Sequence, residues 1–205
     1  QGQYPVIFLS FGDINSNDPN SIKSQIKIKI WQIYLLFKNQ LINSDNLDIT
    51  EKLFIDSITH QINDDIAIHS IQYLCSFLSK IYLNQSAIVI LDDYDAIINK
   101  NINIHGNEDE WNGLKEFVYG FLNCTFQNNK FLNRGLITGI LNIPLSSNFD
   151  GLNNLNLYTI KSDKYSSCFG FTSDEVNNLI SLCNLDHLTN EIENWYGGYA
   201  FGYEN

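Results

Sequence analysis

The sequence has 205 residues, of which 44% are hydrophobic and 17% are charged, a composition typical of a folded globular protein and not of a disordered chain. Its 12 basic and 23 acidic residues give a net charge of −11, and Arg134 is its one arginine. Because phosphate backbones are bound by clustered lysine and arginine, we expect no direct binding of nucleic acid or of an anionic membrane surface.

The sequence predicts no membrane-spanning segment and no signal peptide. No window approaches 18 uninterrupted apolar residues, and the first residues lack the basic and apolar regions of a signal peptide. The four cysteines are widely spaced and form no CxxC motif, which favours reduced thiols in an intracellular, cytoplasmic protein. The sequence contains no methionine, and a core-like strand begins at residue 4, so we expect an internal piece of a longer chain.

The first predicted elements are a buried strand and a long helix. Residues 4–11 form a short apolar run of the kind found in parallel sheets. Asp18 and Pro19 then provide a helix cap followed by proline at the first helical position. Apolar residues recur every three or four positions from Ile22 to Leu41, which predicts one amphipathic helix.

The middle of the chain alternates helices with a second strand. A short helix is predicted to open at Thr50 and to reach about residue 61, and a longer one to run from Asn63 to Tyr82. Residues 86–91 predict a second buried strand, and the polar residues 99–110 predict a surface loop.

The remainder of the chain predicts three helices and two further strands. The helices are expected at 109–127, at 172–183 behind a Thr172–Glu175 capping box, and at 189–196. The strands are expected at 134–140 and 157–160. Alternating apolar strands and amphipathic helices predict an α/β fold with a mainly parallel sheet and flanking helices. Ligands of such folds bind beyond the carboxyl ends of the strands.

An acidic pair, Asp92 and Asp93, follows the second predicted strand. Four apolar residues followed by two acids form the Walker B pattern of phosphoryl-transfer ATPases. One strand-end carboxylate of this kind holds Mg²⁺ through water, and the second orients the attacking water. The alternative reading is an ordinary acidic turn, since so short a pattern also arises by chance.

Thr138 lies at the end of the third predicted strand, where its hydroxyl could reach a γ-phosphate or a water molecule. The alternative is a threonine that bonds only to its local backbone.

Other kinds of site find little support. Neither GxxxxGK[ST] nor GxGxxG occurs, and the glycine-rich segment 195–202 contains no lysine, so we interpret it as a turn with aromatic packing. Cys183 and His187 are four residues apart but have no third metal ligand. No GxSxG motif and no suitably placed Cys/His pair is present for nucleophilic catalysis.

An ordered set of short stretches resembles the AAA-ATPase-like family, a group with a P-loop NTPase-type domain that is often followed by a PD-(D/E)XK nuclease-like domain. The matching stretches are residues 4–11, 88–95, 135–141, 149–155, 169–172 and 195–199. Each stretch is weak alone, and the ordered set spans nearly the whole chain.

The resemblance implies roles for four residues. Asp92 would be the Walker B acid that holds Mg²⁺ through water, and Thr138 would occupy the sensor position and contact the nucleotide. Asp93 stands where the family usually has a catalytic glutamate, and its side chain is one methylene shorter. Asn142 stands where family members often have a basic residue, so a charge able to stabilise the γ-phosphate is lost.

The resemblance also implies that the phosphate-binding strand and helix precede residue 4, and that this strand lies centrally in the sheet, between the strands at 134–140 and 157–160. Residues 1–165 would then be an ATPase-like core without its P-loop strand, and residues 166–205 a small helical segment that continues the domain. ATP and Mg²⁺ would bind to the complete parent protein, whereas the chain alone would bind them poorly and be inactive. A nuclease-like domain in the same parent chain is the one implied partner.

Three functions therefore compete. The chain could be the central part of an NTPase, a degenerate module that binds protein partners without hydrolysing ATP, or a piece of a nucleic-acid-processing protein. The departures at Asp93 and Asn142 favour the second, Asp92 and Thr138 favour the first, and the negative charge argues against nucleic acid contacts by this segment.

Overall fold

The structure is a computed structural model that describes residues 3–99, 108–140 and 154–202, apart from the side chains of residues 98 and 99. The chain divides into two compact units, Gln1–Asn154 and Leu155–Asn205. Each unit is described below by itself.

The first unit contains a parallel sheet of three strands in the order β1-β2-β3. The strands are β1 (Val6–Ser10), β2 (Ala87–Asp92) and β3 (Leu132–Ile137). Ser10 lies opposite Asp92, and Leu91 lies opposite Ile137. The predicted α/β architecture with a parallel sheet is confirmed, and the carboxyl ends of all three strands meet at one edge of the sheet.

The helices of this unit are α1 (Pro19–Ile42), α2 (Ile49–Ser57), α3 (Asp64–Ile81), α4 (Ala96–Asn99) and α5 (Glu108–Phe126). The side chain of Asp18 caps α1 by accepting a hydrogen bond of 2.6 Å from the backbone N–H of Ser21, as the Asp-Pro pair predicts. Helix α2 begins earlier and ends sooner than predicted, because a capping box formed by Asp48 and Glu51 fixes its start. The single turn of α4 was not predicted.

One face of the sheet forms the core with α1, α3 and α5. Along β1 and β2, the side chains of Ile7, Leu9, Val89 and Leu91 point into this core and are buried. The apolar stripe of α1 packs there as its spacing predicts, and Ile22, Ile26 and Ile30 are buried.

The other face of the sheet is exposed, and both of its edges are open. Val6, Phe8 and Leu136 are exposed by 47%, 57% and 53%. Within the described residues, β1 and β3 each pair with β2 and with no other strand, so the outer edge of each presents unpaired backbone groups. Exposed apolar surface beside an open strand edge favours association with another strand.

Ion pairs join α1 to the beginning of α3. The ammonium groups of Lys23 and Lys27 lie 3.0 and 2.7 Å from the two carboxylate oxygens of Asp64. Burial would raise the pKa of Asp64, but the hydrogen bonds and charges of the two lysines outweigh it and lower that pKa. Asp64 also lies in the first turn of α3, where a negative charge favours the helix.

The second unit is helical. It contains α6 (Ser173–Leu182) and α7 (Thr189–Tyr196), with single 3₁₀ turns at Ser166–Cys168 and Asp186–Leu188. The predicted capping box is present, since Thr172 and Glu175 each bond to the other's backbone N–H. The backbone N–H of Gly202 donates to the carbonyl of Ile160 at 2.8 Å and ties the end of the unit to its beginning.

One expectation for this unit is wrong, and another is met only in part. Residues 157–160 form no strand, because residues 157–159 have no regular structure and join no ladder, and a turn closed by the Ser162 N–H and the Thr159 carbonyl at 2.9 Å follows. In the aromatic segment, Phe201 stacks on Phe169 with ring centroids 6.1 Å apart, but Trp195 and Tyr199 are more than four-fifths exposed. The segment is therefore packed at one aromatic residue and open at the others.

Among the described helices, none combines the length and the apolar composition that crossing a bilayer requires.

Candidate functional site

Three loops converge where the three parallel strands end. The backbone N–H of Phe11 donates to the carbonyl of Asp92 at 3.0 Å, and that of Thr138 donates to Leu91 at 2.9 Å. The ends of β1 and β3 are thus held on either side of β2. We call Asp92, Asp93 and Thr138 at this edge the strand-end site.

Asp92 and Thr138 are in direct contact. The Thr138 hydroxyl donates a hydrogen bond to Oδ1 of Asp92, and the backbone N–H of Asp93 donates to the same oxygen at 3.0 Å. Both residues are half-buried. One carboxylate oxygen is therefore held by two donors, and this fixes the orientation of the carboxylate at the end of β2.

Asp93 is directed toward the opposite neighbour. Its backbone has φ of 52°, a left-handed conformation that aspartate tolerates better than most residues. This turns the chain out of β2, and its carboxylate lies against Gly12 after β1, where an added Cβ would approach Oδ2 to 2.3 Å. The acidic pair therefore separates, with Asp92 facing the β3 side and Asp93 the β1 side.

A third acid, Asp95, lies beneath this edge and is only 2% exposed. Its Oδ2 accepts a hydrogen bond of 3.2 Å from the backbone N–H of Ile140. Gly139 leaves room for it, since a Cβ there would lie 2.6 Å from Oδ1 of Asp95 and 2.7 Å from the Tyr94 ring. Sequence reasoning did not single out Asp95, Gly12 or Gly139, although both glycines lie at the ends of predicted strands.

The charge at the site has no basic counterpart in the described part of the chain. No ion pair there includes Asp92 or Asp93, and Lys29 near the end of β1 is paired with Asp13 instead. The second oxygen of Asp92 and the Asp93 carboxylate are hard oxygen donors of the kind that Mg²⁺ takes, usually one or two at a time with water and phosphate. Asp92 therefore fits a Mg²⁺ ligand by its chemistry.

No group of three or more His, Cys, Asp or Glu side chains arranged for a metal ion occurs among the described residues. The described residues therefore form no site that binds a metal through protein ligands alone. A partial site that water and a phosphate would complete remains compatible with Asp92.

Two of the four cysteines, Cys75 and Cys124, are poorly suited to act as nucleophiles. All four are free, and burial raises the pKa of Cys75 to about 11 and also raises the pKa of Cys124. Both thiols are therefore protonated near neutral pH and weakly reactive.

The structure thus brings Asp92, Asp93 and Thr138 to one edge, while Asn142 lies outside the described residues. Together these features define a parallel α/β protein with an acidic strand-end site.

Comparison with known protein families assigns this parallel α/β protein to one family. The model of a family described as a predicted AAA-ATPase matches residues 1–149, and the chain belongs to this AAA-ATPase-like family. Membership suggests the use of ATP and Mg²⁺ in general. No curated protein and no solved structure matches the chain.

Proposed function

We propose that this chain supplies the acidic half of a Mg²⁺–ATP site in an ATPase-like protein. The observation that carries the proposal is the contact between Asp92 and Thr138 at the ends of adjacent parallel strands. Asp92 would hold the ion through water, and the Thr138 hydroxyl both orients that carboxylate and lies where a phosphate oxygen could approach. A bound Mg²⁺ would neutralise phosphate charge in the transferred group.

The phosphate-binding half would come from outside these residues. The sequence contains no GxxxxGK[ST] motif, and its net charge of −11 disfavours a polyphosphate without such a loop. The unpaired outer edge of β3, beside Thr138, is where a further parallel strand could join the sheet. We therefore propose that the chain alone neither binds ATP tightly nor hydrolyses it.

A second candidate function, a nucleotide-binding or partner-binding module that does not hydrolyse ATP, is favoured by the orientation of Asp93. Its carboxylate lies against Gly12 on the β1 side of β2, whereas the phosphate-binding strand would join on the far side of β3. A carboxylate that orients water must lie within hydrogen-bond reach of it. Asp93 would have to turn around β2 to serve in hydrolysis, and its short side chain limits that reach.

The implied nuclease-like domain in the same parent chain stays a prediction, as does the role of Asn142. The negative charge of the segment argues against direct contact with nucleic acid.

The proposal is tested by thermal unfolding with and without Mg²⁺–ATP, using this chain and the product of the complete reading frame. At a hundred times the dissociation constant, ligand binding stabilises by about 2.7 kcal/mol, which raises the melting temperature of a domain of about 150–250 residues by roughly 5–10 °C. We expect that rise for the complete product and none for the 205-residue chain.

Two variants of the complete product test whether the strand-end site causes the rise in melting temperature with Mg²⁺–ATP. Asp92→Asn should abolish the rise in melting temperature, whereas Asp56→Asn, which alters an exposed ion pair with Lys38, should leave it unchanged. A rise of equal size in the short chain would refute the two-part site. No rise in either protein would refute ATP binding.

Steady-state phosphate release then separates the two candidate functions. A complete product that is stabilised by Mg²⁺–ATP but releases no phosphate is the non-hydrolysing module. Release that Asp92→Asn abolishes would instead establish an ATPase.

A further inference from the structure

The buried carboxylate of Asp95 has no role in the arrangement described so far. It is 2% exposed, and a carboxylate so deeply buried is costly unless its oxygens accept hydrogen bonds. One such bond is from the backbone N–H of Ile140, two residues beyond Thr138. This places an acid of the β2 loop in contact with the loop after β3.

The bond between Asp95 and the Ile140 N–H stands where the next backbone bond of the β2–β3 ladder would be. The β2–β3 ladder continues past the strands through two backbone bonds, from Thr138 N–H to Leu91 and from Tyr94 N–H to the Thr138 carbonyl, of 2.9 and 3.1 Å. The next donor along the third strand's path is Ile140 N–H. A backbone carbonyl of β2 would accept it if β2 continued.

The second strand does not continue, because Asp93 adopts φ of 52° and its carbonyl accepts from Ala96 N–H at 3.0 Å as the chain turns into α4. The Asp95 side chain lies where the strand backbone is missing, and it accepts the Ile140 N–H instead. The ladder is thereby extended by one bond on the far side of Thr138.

We propose that Asp95 is a positioning residue: its carboxylate substitutes for the absent strand backbone and holds residues 138–140 against the end of β2, so that the Thr138 hydroxyl stays on Asp92. The inference deepens the proposed function, since it concerns how the Mg²⁺-side acid and its hydroxyl partner are kept in register. It depends only on contacts within the ligand-free chain.

Gly139 is the second part of this device. Its lack of a side chain lets the Asp95 carboxylate and the Tyr94 ring close on the loop after β3, because an added Cβ would meet them at 2.6 and 2.7 Å. Contacts under 3.0 Å force one of the groups to move. Gly139→Ala therefore disturbs the same contact without altering the acid itself.

The test is amide hydrogen exchange and Thr138 χ1 scalar couplings, measured by NMR on the ¹⁵N,¹³C-labelled 205-residue chain without Mg²⁺ or ATP. In Asp95→Leu, the Ile140 amide should exchange about 10- to 100-fold faster, as expected for losing a hydrogen bond to a charged acceptor. Thr138 should change from one χ1 rotamer to an average of several. Asp95→Asn keeps an oxygen that can accept the bond and should restore both properties.

Two glycine variants keep the proposal testable if Asp95→Leu does not fold. Gly139→Ala should reproduce both changes, and Gly113→Ala, whose Cβ would meet nothing closer than Lys23 Nζ at 3.7 Å, should produce neither. Faster Ile140 exchange with an unchanged Thr138 rotamer would make Asp95 merely structural and overturn the proposal, as would unchanged exchange. Because no nucleotide is present, a failure of Mg²⁺–ATP binding would refute the proposed function without bearing on this result.

Discussion

Replacing threonine by valine should lower the free energy of unfolding at one position, Thr138, and should not lower it at another, Thr125. At Thr138 the hydroxyl donates to the Asp92 carboxylate. At Thr125, which is buried in α5, the hydroxyl has no hydrogen-bond partner among the described residues. Valine has nearly the same shape as threonine, so both substitutions remove one hydroxyl and little else.

The magnitudes follow from what each hydroxyl loses. A hydrogen bond to a charged group contributes about 1.5–3 kcal/mol to stability. Thr138 and Asp92 are half-buried, so water partly replaces the bond, and we expect Thr138→Val to lower the free energy of unfolding by about 1 kcal/mol. A buried hydroxyl without a partner costs about 1–3 kcal/mol, so Thr125→Val should be neutral or should raise that free energy.

The assay is urea denaturation followed by far-UV circular dichroism, with unchanged slopes required for comparison. A double-mutant cycle with Asp92→Ala should give a coupling energy of about 0.5–1 kcal/mol for Thr138→Val and none for Thr125→Val. Equal shifts of the same sign at both threonines would refute the reasoning, because they would reflect a general effect of valine.

Three further changes test the surroundings of the site. Asp64→Asn should lower the free energy of unfolding by about 0.5–1 kcal/mol at pH 7, a value discounted for the partial exposure of the ion pair. Since folding lowers the pKa of Asp64, this difference between variant and wild type should vanish as the pH falls from about 4 through the folded-state pKa. Urea titrations at several pH values would check this. Phe8→Thr should slow aggregation measured by light scattering with little loss of stability, whereas Ile7→Thr, on the buried face, should cost about 2–4 kcal/mol. Gly12→Ala should lower the melting temperature by several degrees because its Cβ would collide with the Asp93 carboxylate, and an unchanged melting curve would contradict that packing.

Local patterns in the sequence predict most of the elements correctly. The spacing of isoleucines gives α1, the caps at Asp18 and Thr172 give the starts of two helices, and the apolar run before Asp92 gives β2. These signals succeed because they depend on neighbours within a turn or a strand. The strand expected at 157–160 fails because a strand also needs a partner, and no ladder reaches it.

The candidate site is only partly readable from the sequence. Asp92, Asp93 and Thr138 are marked as residues that follow strands, and their meeting at one edge follows from a parallel sheet. The opposite directions of the two acids are not readable, because they arise from the left-handed backbone of Asp93. The role proposed for Asp95 is equally hidden, since its partner is a backbone group 45 residues away.

By itself the sequence determined that this is an α/β protein with acidic residues and a threonine at strand ends, because periodicity and short-range capping are encoded in adjacent residues. Only the tertiary structure decided the strand order, the open edge of β3 beside Thr138 and the neighbour toward which each acid is directed. The strand order and the directions of the acids depend on contacts between segments far apart in the chain. Their geometry is set by the φ angle of one residue and by the missing side chains of glycines, and no local sequence pattern reports either.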